Sequence, residues 1–161
     1  MIFLQVFLKS IKLPNKQAMF KLNRIGMDIT LIYMFILMLI VSIPSLVDRL
    51  TATSGPSADL HLFLLLVYFF IFYYLPITLM VFAMISLIAY IGTLIAKLLR
   101  RKVRFQILWK MTAYTTTIPF LLYTIIALIY PIEATYLWLF LVYSLLFIIK
   151  IITVYPKRKK R

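Results

Sequence analysis

Residues AVILMFWYC make up 65% of the 161-residue chain and charged residues 14%, against roughly 45–50% apolar and about 25% charged in a soluble domain. The formal net charge is nonetheless +14, from 18 Lys+Arg and 4 Asp+Glu. A chain this greasy and this basic excludes a soluble enzyme and a disordered tail, and points to an integral membrane protein with basic flanks. Cysteine is absent and His61 is the single histidine. That excludes a disulfide framework, Cys-ligated zinc, a thiol nucleophile and a His-based catalytic pair within one chain.

In chain order, residues 1–14 come first. Apolar residues precede the lysines, the reverse of a secretory signal peptide. Phe3, Leu4, Phe7, Leu8 and Ile11 fall at helical spacing, Gln5, Lys9, Lys12 and Lys16 fall opposite, and Pro14 stops the run. This predicts an amphipathic helix lying in the headgroup layer. Packing against the protein's own helices is the alternative.

Residues 28–47 form span one. Ile29 to Val47 is free of charge, long enough for about 30 Å of hydrocarbon. Asp28 and Thr30 are placed to cap its start, and Pro44 sits near the far end, where distortion is tolerated. Residues 48–59 are an outer loop, turning at Ser54-Gly55-Pro56-Ser57.

Leu60 to Ala96 carries no formal charge over 37 residues. As one helix it would run about 55 Å, well beyond the bilayer core. Two crossings would place the following cationic cluster outside, against the positive-inside rule. The reading taken is one crossing at 76–97, preceded at 60–75 by an apolar outer-leaflet segment rich in aromatics (Tyr68, Phe69, Phe70, Phe72, Tyr73, Tyr74). A long tilted helix kinked at Pro76 is the alternative.

Residues 98–110 read as a basic cytoplasmic loop, 111–130 as span three, 131–135 as an outer turn, 136–155 as span four and 156–161 as a basic tail. Tyr130, Tyr136 and Trp138 suit an interfacial belt, and Lys150 can snorkel. Seventeen of the 18 basic residues then fall on one side, with Arg49 alone opposite. The predicted fold is all-α: a polytopic transmembrane helical bundle of four spans, both termini cytoplasmic, with an N-terminal interfacial helix.

Motifs that carry chemistry are missing. The three glycines, Gly26, Gly55 and Gly92, form no phosphate loop, and Asp28, Asp48, Asp59 and Glu133 lie at helix ends or in loops. No cofactor or metal is implied, and an enzyme is not expected. Lys97, Arg100, Arg101, Lys102, Arg104 and Lys110 alternate with apolar residues. With Lys157, Arg158, Lys159, Lys160 and Arg161 they suit contact with anionic lipid, at about 1 kcal/mol per basic residue, in preference to nucleic acid. Tyr114, Thr115, Thr116, Thr117 and Pro119 are the most polar stretch inside a span. Pro119 cannot donate to the Thr115 carbonyl, and the Thr117 hydroxyl can bond back to residue 113 or 114. This is either a polar pocket or a kinked packing site. Ala89, Gly92, Thr93 and Ala96 share one helix face, suited to close helix packing inside the chain or between copies. His61 suits an interfacial hydrogen bond.

The basic start "FLKSIKLPNKQAMFKLNRIG", the run "AYIGTLIAKLLRRKVRFQILWKMTAYTTTIP", and Ala113, Tyr114 and Pro119 opening span three together resemble a family of uncharacterised Gram-positive bacterial membrane proteins. Some members are labelled maltodextrin-utilisation (MalA-type) proteins, and the family is similar in turn to Yip-type polytopic proteins. Members carry a sizeable extracellular segment between spans one and two, where this chain has residues 48–59. The resemblance implies a multi-pass protein of the bacterial plasma membrane. It would be a non-enzymatic accessory or scaffold acting through membrane partners, linked to carbohydrate (maltodextrin) uptake through a transporter complex. A small, oligomeric transporter or channel subunit is the alternative class. Oligomeric state is not legible.

Overall fold

The computed structural model describes residues 2–51, 61–130 and 138–156, and every regular element among them is helical. The elements are α1 (Ile2–Ile11), α2 (Lys16–Asn23), α3 (Met27–Thr51), α4 (Leu62–Phe69), a π-helical turn (Phe70–Tyr74), α5 (Leu75–Leu98), α6 (Phe105–Thr115), α7 (Thr117–Ile129) and α8 (Trp138–Val154). Three stretches, Met27–Thr51, Leu62–Leu98 and Phe105–Ile129, are long and apolar enough to cross a membrane. α8 has 17 residues, or about 26 Å at 1.5 Å per residue. The expected outer turn 131–135, the first residues of span four and the tail residues Lys157, Arg158, Lys159, Lys160 and Arg161 lie outside the described residues, as does most of the loop 48–59.

The helices are greasy on both faces. Met34, Leu37, Met38, Ile85, Ile88, Leu108, Met111 and Ile148 are buried at the centre. Ile32, Phe35, Ile36 and Leu39 of α3, and Leu122, Ile125, Ile126 and Ile129 of α7, point outward. An outside this apolar is compatible with a surface that faces lipid. In lipid, apolar burial does not drive helix association; close packing and interhelical hydrogen bonds do.

α5 is the central element, packed on α6 and α8, while α3 packs on α6, α7 and the π turn. Thr30 pairs with Tyr114, and Tyr33 with Thr117, at the same offset of 84 residues. α3 therefore runs parallel to α6–α7 in a fixed register.

Several expected boundaries move. α3 continues to Thr51, so Asp48 to Thr51 are helical. α6 begins at Phe105, because Ile107, Leu108, Trp109 and Met111 extend its apolar pattern below residue 111 and bury Leu108 and Met111 completely. The stretch 62–98 is helical throughout, without a break at residue 75. Pro76 falls at the start of α5 and lacks an N–H, and its ring crowds the carbonyl four residues before it, Phe72. The helix accommodates it one turn earlier. Residues 70–74 widen into a π turn closed by the Leu75 N–H on the Phe70 carbonyl, and the Thr78 hydroxyl donates to the Tyr74 carbonyl at 2.7 Å. Distortions of long helices concentrate at such sites.

α1 is seated against the bundle, packing on α2, α6 and α7. Val6 and Ser10 are fully buried, while Ile2, Phe3, Leu4, Leu8 and Ile11 face outward. The helix thus joins its own protein along one stripe and leaves an apolar flank exposed. α2 is capped by Asn15, whose side chain accepts from the Gln17 N–H at 3.1 Å.

α5 ends in a Schellman motif. Arg100 has φ 51°, its N–H donates to the Lys97 carbonyl at 3.0 Å, and the Arg101 N–H donates to the Ala96 carbonyl at 2.8 Å.

Candidate functional site

Tyr114, Thr115, Thr116 and Thr117 are each at most 2% exposed. Their hydroxyls are committed. Tyr114 Oη and Thr30 Oγ1 are 2.7 Å apart, and Thr117 Oγ1 and Tyr33 Oη are 2.8 Å apart. Thr115 donates to the Met111 carbonyl at 2.6 Å, and Thr116 to the Ala113 carbonyl at 2.8 Å. The expected back-bond from Thr117 is not formed. Thr116 takes that role, because the chain breaks between α6 and α7 at Thr116 and turns Thr117 toward α3. Ser10 of α1 also reaches the Tyr33 phenol, and the Tyr33 and Tyr114 rings lie 5.7 Å apart. The layer joins α1, α3, α6 and α7 through groups that satisfy one another, as polar groups in lipid require. Geometrically this is a packed polar layer around a helix break, with Pro119 half-buried one turn beyond.

Thr30 was read from sequence as a cap of span one, and Tyr33 was not singled out. The signal was present: polar residues three apart in span one match Tyr114 and Thr117, also three apart, in span three. Thr30 does not cap α3. It lies one turn in, donating to the Gly26 carbonyl at 2.9 Å and facing Tyr114.

The basic residues divide into two groups. Lys97, Arg100, Lys102 and Arg104 are exposed, as are Lys12, Lys16, Lys21 and Arg24. Lys110, expected at the lipid surface, is instead buried at 9% exposure. Its ammonium donates to the carbonyls of Asn23 at 2.7 Å and Ile25 at 2.8 Å. The cause is local. The Asn23 carbonyl ends α2 and carries the negative end of its dipole, which a cation from α6 neutralises, and the Ile25 carbonyl lies in the link to α3. Arg101 is half-buried, with Nη1 donating to the Tyr155 carbonyl, while the Lys102 N–H donates to the Pro156 carbonyl at 3.3 Å. These bonds gather the N-terminal hairpin, the α5–α6 connection and the end of α8 at one end of the bundle.

Ala89, Gly92 and Ala96 are buried and Thr93 is half-buried. A Cβ on Gly92 would lie 2.8 Å from Ile148 Cγ2 and 3.5 Å from Leu108 Cδ1. The missing side chain therefore admits α8, and this face is an internal contact. Thr93 turns its hydroxyl to the Ala89 carbonyl at 2.7 Å.

At the other end, Arg49 stacks on the Tyr73 ring, 5.4 Å from its centroid, and the Tyr73 phenol meets the Ser45 hydroxyl. His61 accepts from the Phe63 N–H and so caps α4. Beside the π turn, Phe35, Phe70, Ile71, Tyr74, Leu75, Thr78 and Leu79 line an open cleft of about 540 Å³. Among the described residues, no group of His, Asp and Glu could hold a metal ion.

A family model described as a protein of unknown function (DUF1189) matches residues 56–155, which covers α4 to α8. That description carries neither a maltodextrin-utilisation nor a Yip-type label. No curated protein and no solved structure matches the chain.

Proposed function

The chain belongs to the family of proteins of unknown function DUF1189, and we propose that it is a non-enzymatic integral membrane accessory or scaffold protein that acts through partners in the bilayer. In this reading α3, α4–α5, α6–α7 and α8 cross the membrane four times, with the basic end and both termini in the cytoplasm. The positive-inside rule supports that orientation. The exposed lysines and arginines of that end contact anionic lipid.

One observation carries the accessory reading. The hydroxyls of the layer formed by Thr30, Tyr33, Tyr114, Thr115, Thr116 and Thr117 are consumed by the fold, leaving the buried Ser144 of α8 without a partner among the described residues, while the long helices keep broad apolar faces outward, including Phe63, Phe72, Leu79 and Ile129. Polar groups available for binding are therefore concentrated at the ends, and contacts within the bilayer are made through apolar faces. The resemblance noted above would make the partner a component of a sugar-transport complex.

Crosslinked co-purification from native membranes tests the proposal. Specific recovery of a membrane transport component is the expected result. Solute flux through liposomes containing the purified protein alone, abolished by substituting Thr116 or Thr117, would overturn it in favour of a transporter or channel subunit.

A further inference from the structure

The cleft beside the π turn has a particular chemistry. Only two of its lining side chains carry a hydroxyl, and both are turned inward. Tyr74 Oη donates to the Phe35 carbonyl at 3.0 Å, and Thr78 Oγ1 to the Tyr74 carbonyl at 2.7 Å. The other lining residues are Phe35, Phe70, Ile71, Leu75 and Leu79. A polar ligand group placed there would lose its water and gain no partner, at a cost of a few-fold to several hundred-fold in affinity. A hydrocarbon chain loses nothing. At about 540 Å³ the space falls within the ~300–1,000 Å³ of small-molecule sites.

The same face of α3 names the other half of the ligand. Phe35, Ser42 and Arg49 recur at intervals of seven, so they lie on one stripe facing the long helix. Arg49 stands 14 residues above Phe35, about 21 Å along the axis. One leaflet of hydrocarbon is about 15 Å deep, half the ~30 Å core. With Arg49 at headgroup level, the cleft therefore lies near the depth where acyl chains end. The Arg49 guanidinium is held against Tyr73, whose phenol is tied to Ser45. It forms no ion pair among the described residues, so its remaining N–H donors are open to a phosphate.

We propose that this cleft is a lipid site, taking one acyl chain of a phospholipid from the leaflet at the Arg49 end, with Arg49 on the lipid phosphate. The site is distinct from the basic end and does not depend on the accessory reading.

The test uses the full chain in phosphatidylglycerol–phosphatidylcholine vesicles doped with a phospholipid bearing a diazirine at the end of one acyl chain. Crosslinked peptides are mapped by mass spectrometry. Labelling should concentrate on Phe35 and on 70–79, severalfold above the equally exposed Leu122–Ile129 face of α7. Moving the diazirine next to the headgroup should shift the label toward Arg49, an arm that needs no variant. Leu79→Trp should fill the cleft and abolish the enrichment. Arg49→Gln should lower it about fivefold, the equivalent of the ~1 kcal/mol carried by a basic residue near a membrane surface. Even labelling of α7 and the cleft, or enrichment that survives Leu79→Trp, would overturn the site. A neutral diacylglycerol with the same diazirine that labels the cleft as strongly as the phospholipid would overturn the role given to Arg49.

Discussion

Lys110 and Asn23 are 87 residues apart in sequence and joined at 2.7 Å, ammonium to carbonyl. A second bond to Ile25 makes Lys110 the clasp between α6 and the end of α2. Lys110→Met keeps the length of the stem and removes the donors, leaving two carbonyls short of a partner. The expected loss is about 1–3 kcal/mol, read as a lower thermal midpoint in detergent. Faster proteolysis at the exposed Lys16 or Lys21 should accompany it. An unchanged midpoint would show that water serves the carbonyls equally well.

The Thr30–Tyr114 pair calls for a double-mutant cycle. Thr30→Val leaves the Tyr114 hydroxyl facing an apolar wall, and Tyr114→Phe leaves Thr30 only its bond to the Gly26 carbonyl. Measured pairs in membranes couple by ~0.6 kcal/mol on average and up to ~1.7. This pair, 2.7 Å long and buried, should fall in the upper part of that range. A coupling near zero would show that the two hydroxyls find other partners.

Gly92→Ala should destabilise by about 1–3 kcal/mol, because the new methyl overlaps Ile148. The compensating change separates crowding from any general effect of the substitution. In an Ile148→Ala background, Gly92→Ala should cost far less than in the parent chain. Equal costs in both backgrounds would argue against the contact.

Arg100 occupies a left-handed conformation at the end of α5, where a side chain costs about 1 kcal/mol relative to glycine. Arg100→Gly should raise the thermal midpoint. Arg100→Ala, which removes the same charge and keeps a Cβ, should not. A rise in both variants would assign the effect to charge.

Orientation is tested by accessibility tags at residues 55 and 161, which should report opposite sides of the membrane, with 161 in the cytoplasm. Both tags on one side would exclude four crossings.

Helix content, the long apolar stretches and the clustering of cations were legible because they rest on composition and on charge runs. Partners were less so. The clasp on Lys110 was missed because backbone carbonyls have no sequence signature, so a lysine beside a span reads as lipid-facing by default. The hydroxyl layer was half legible. Tyr114 to Thr117 stood out, while Thr30 read as a cap beside Asp28 and Tyr33 as one more apolar-faced aromatic of the span. Pro76 marked the place of a distortion but not its form. A proline signals a lost donor, whereas the widening at 70–74 depends on how the preceding turn relaxes.

That widening has a consequence for the whole upper part of the long helix. A π turn holds one residue more than an α turn, and one residue corresponds to about 100° of rotation. Everything before Phe70 is therefore set out of phase with everything after Tyr74. Tyr73 can meet Ser45 and Arg49 while, farther along, Ile85 and Ile88 still point at the core. A single length change in this turn would leave the lower bundle intact and swing α4 to a different azimuth, so the outer third of the helix can be re-aimed independently of the part that packs.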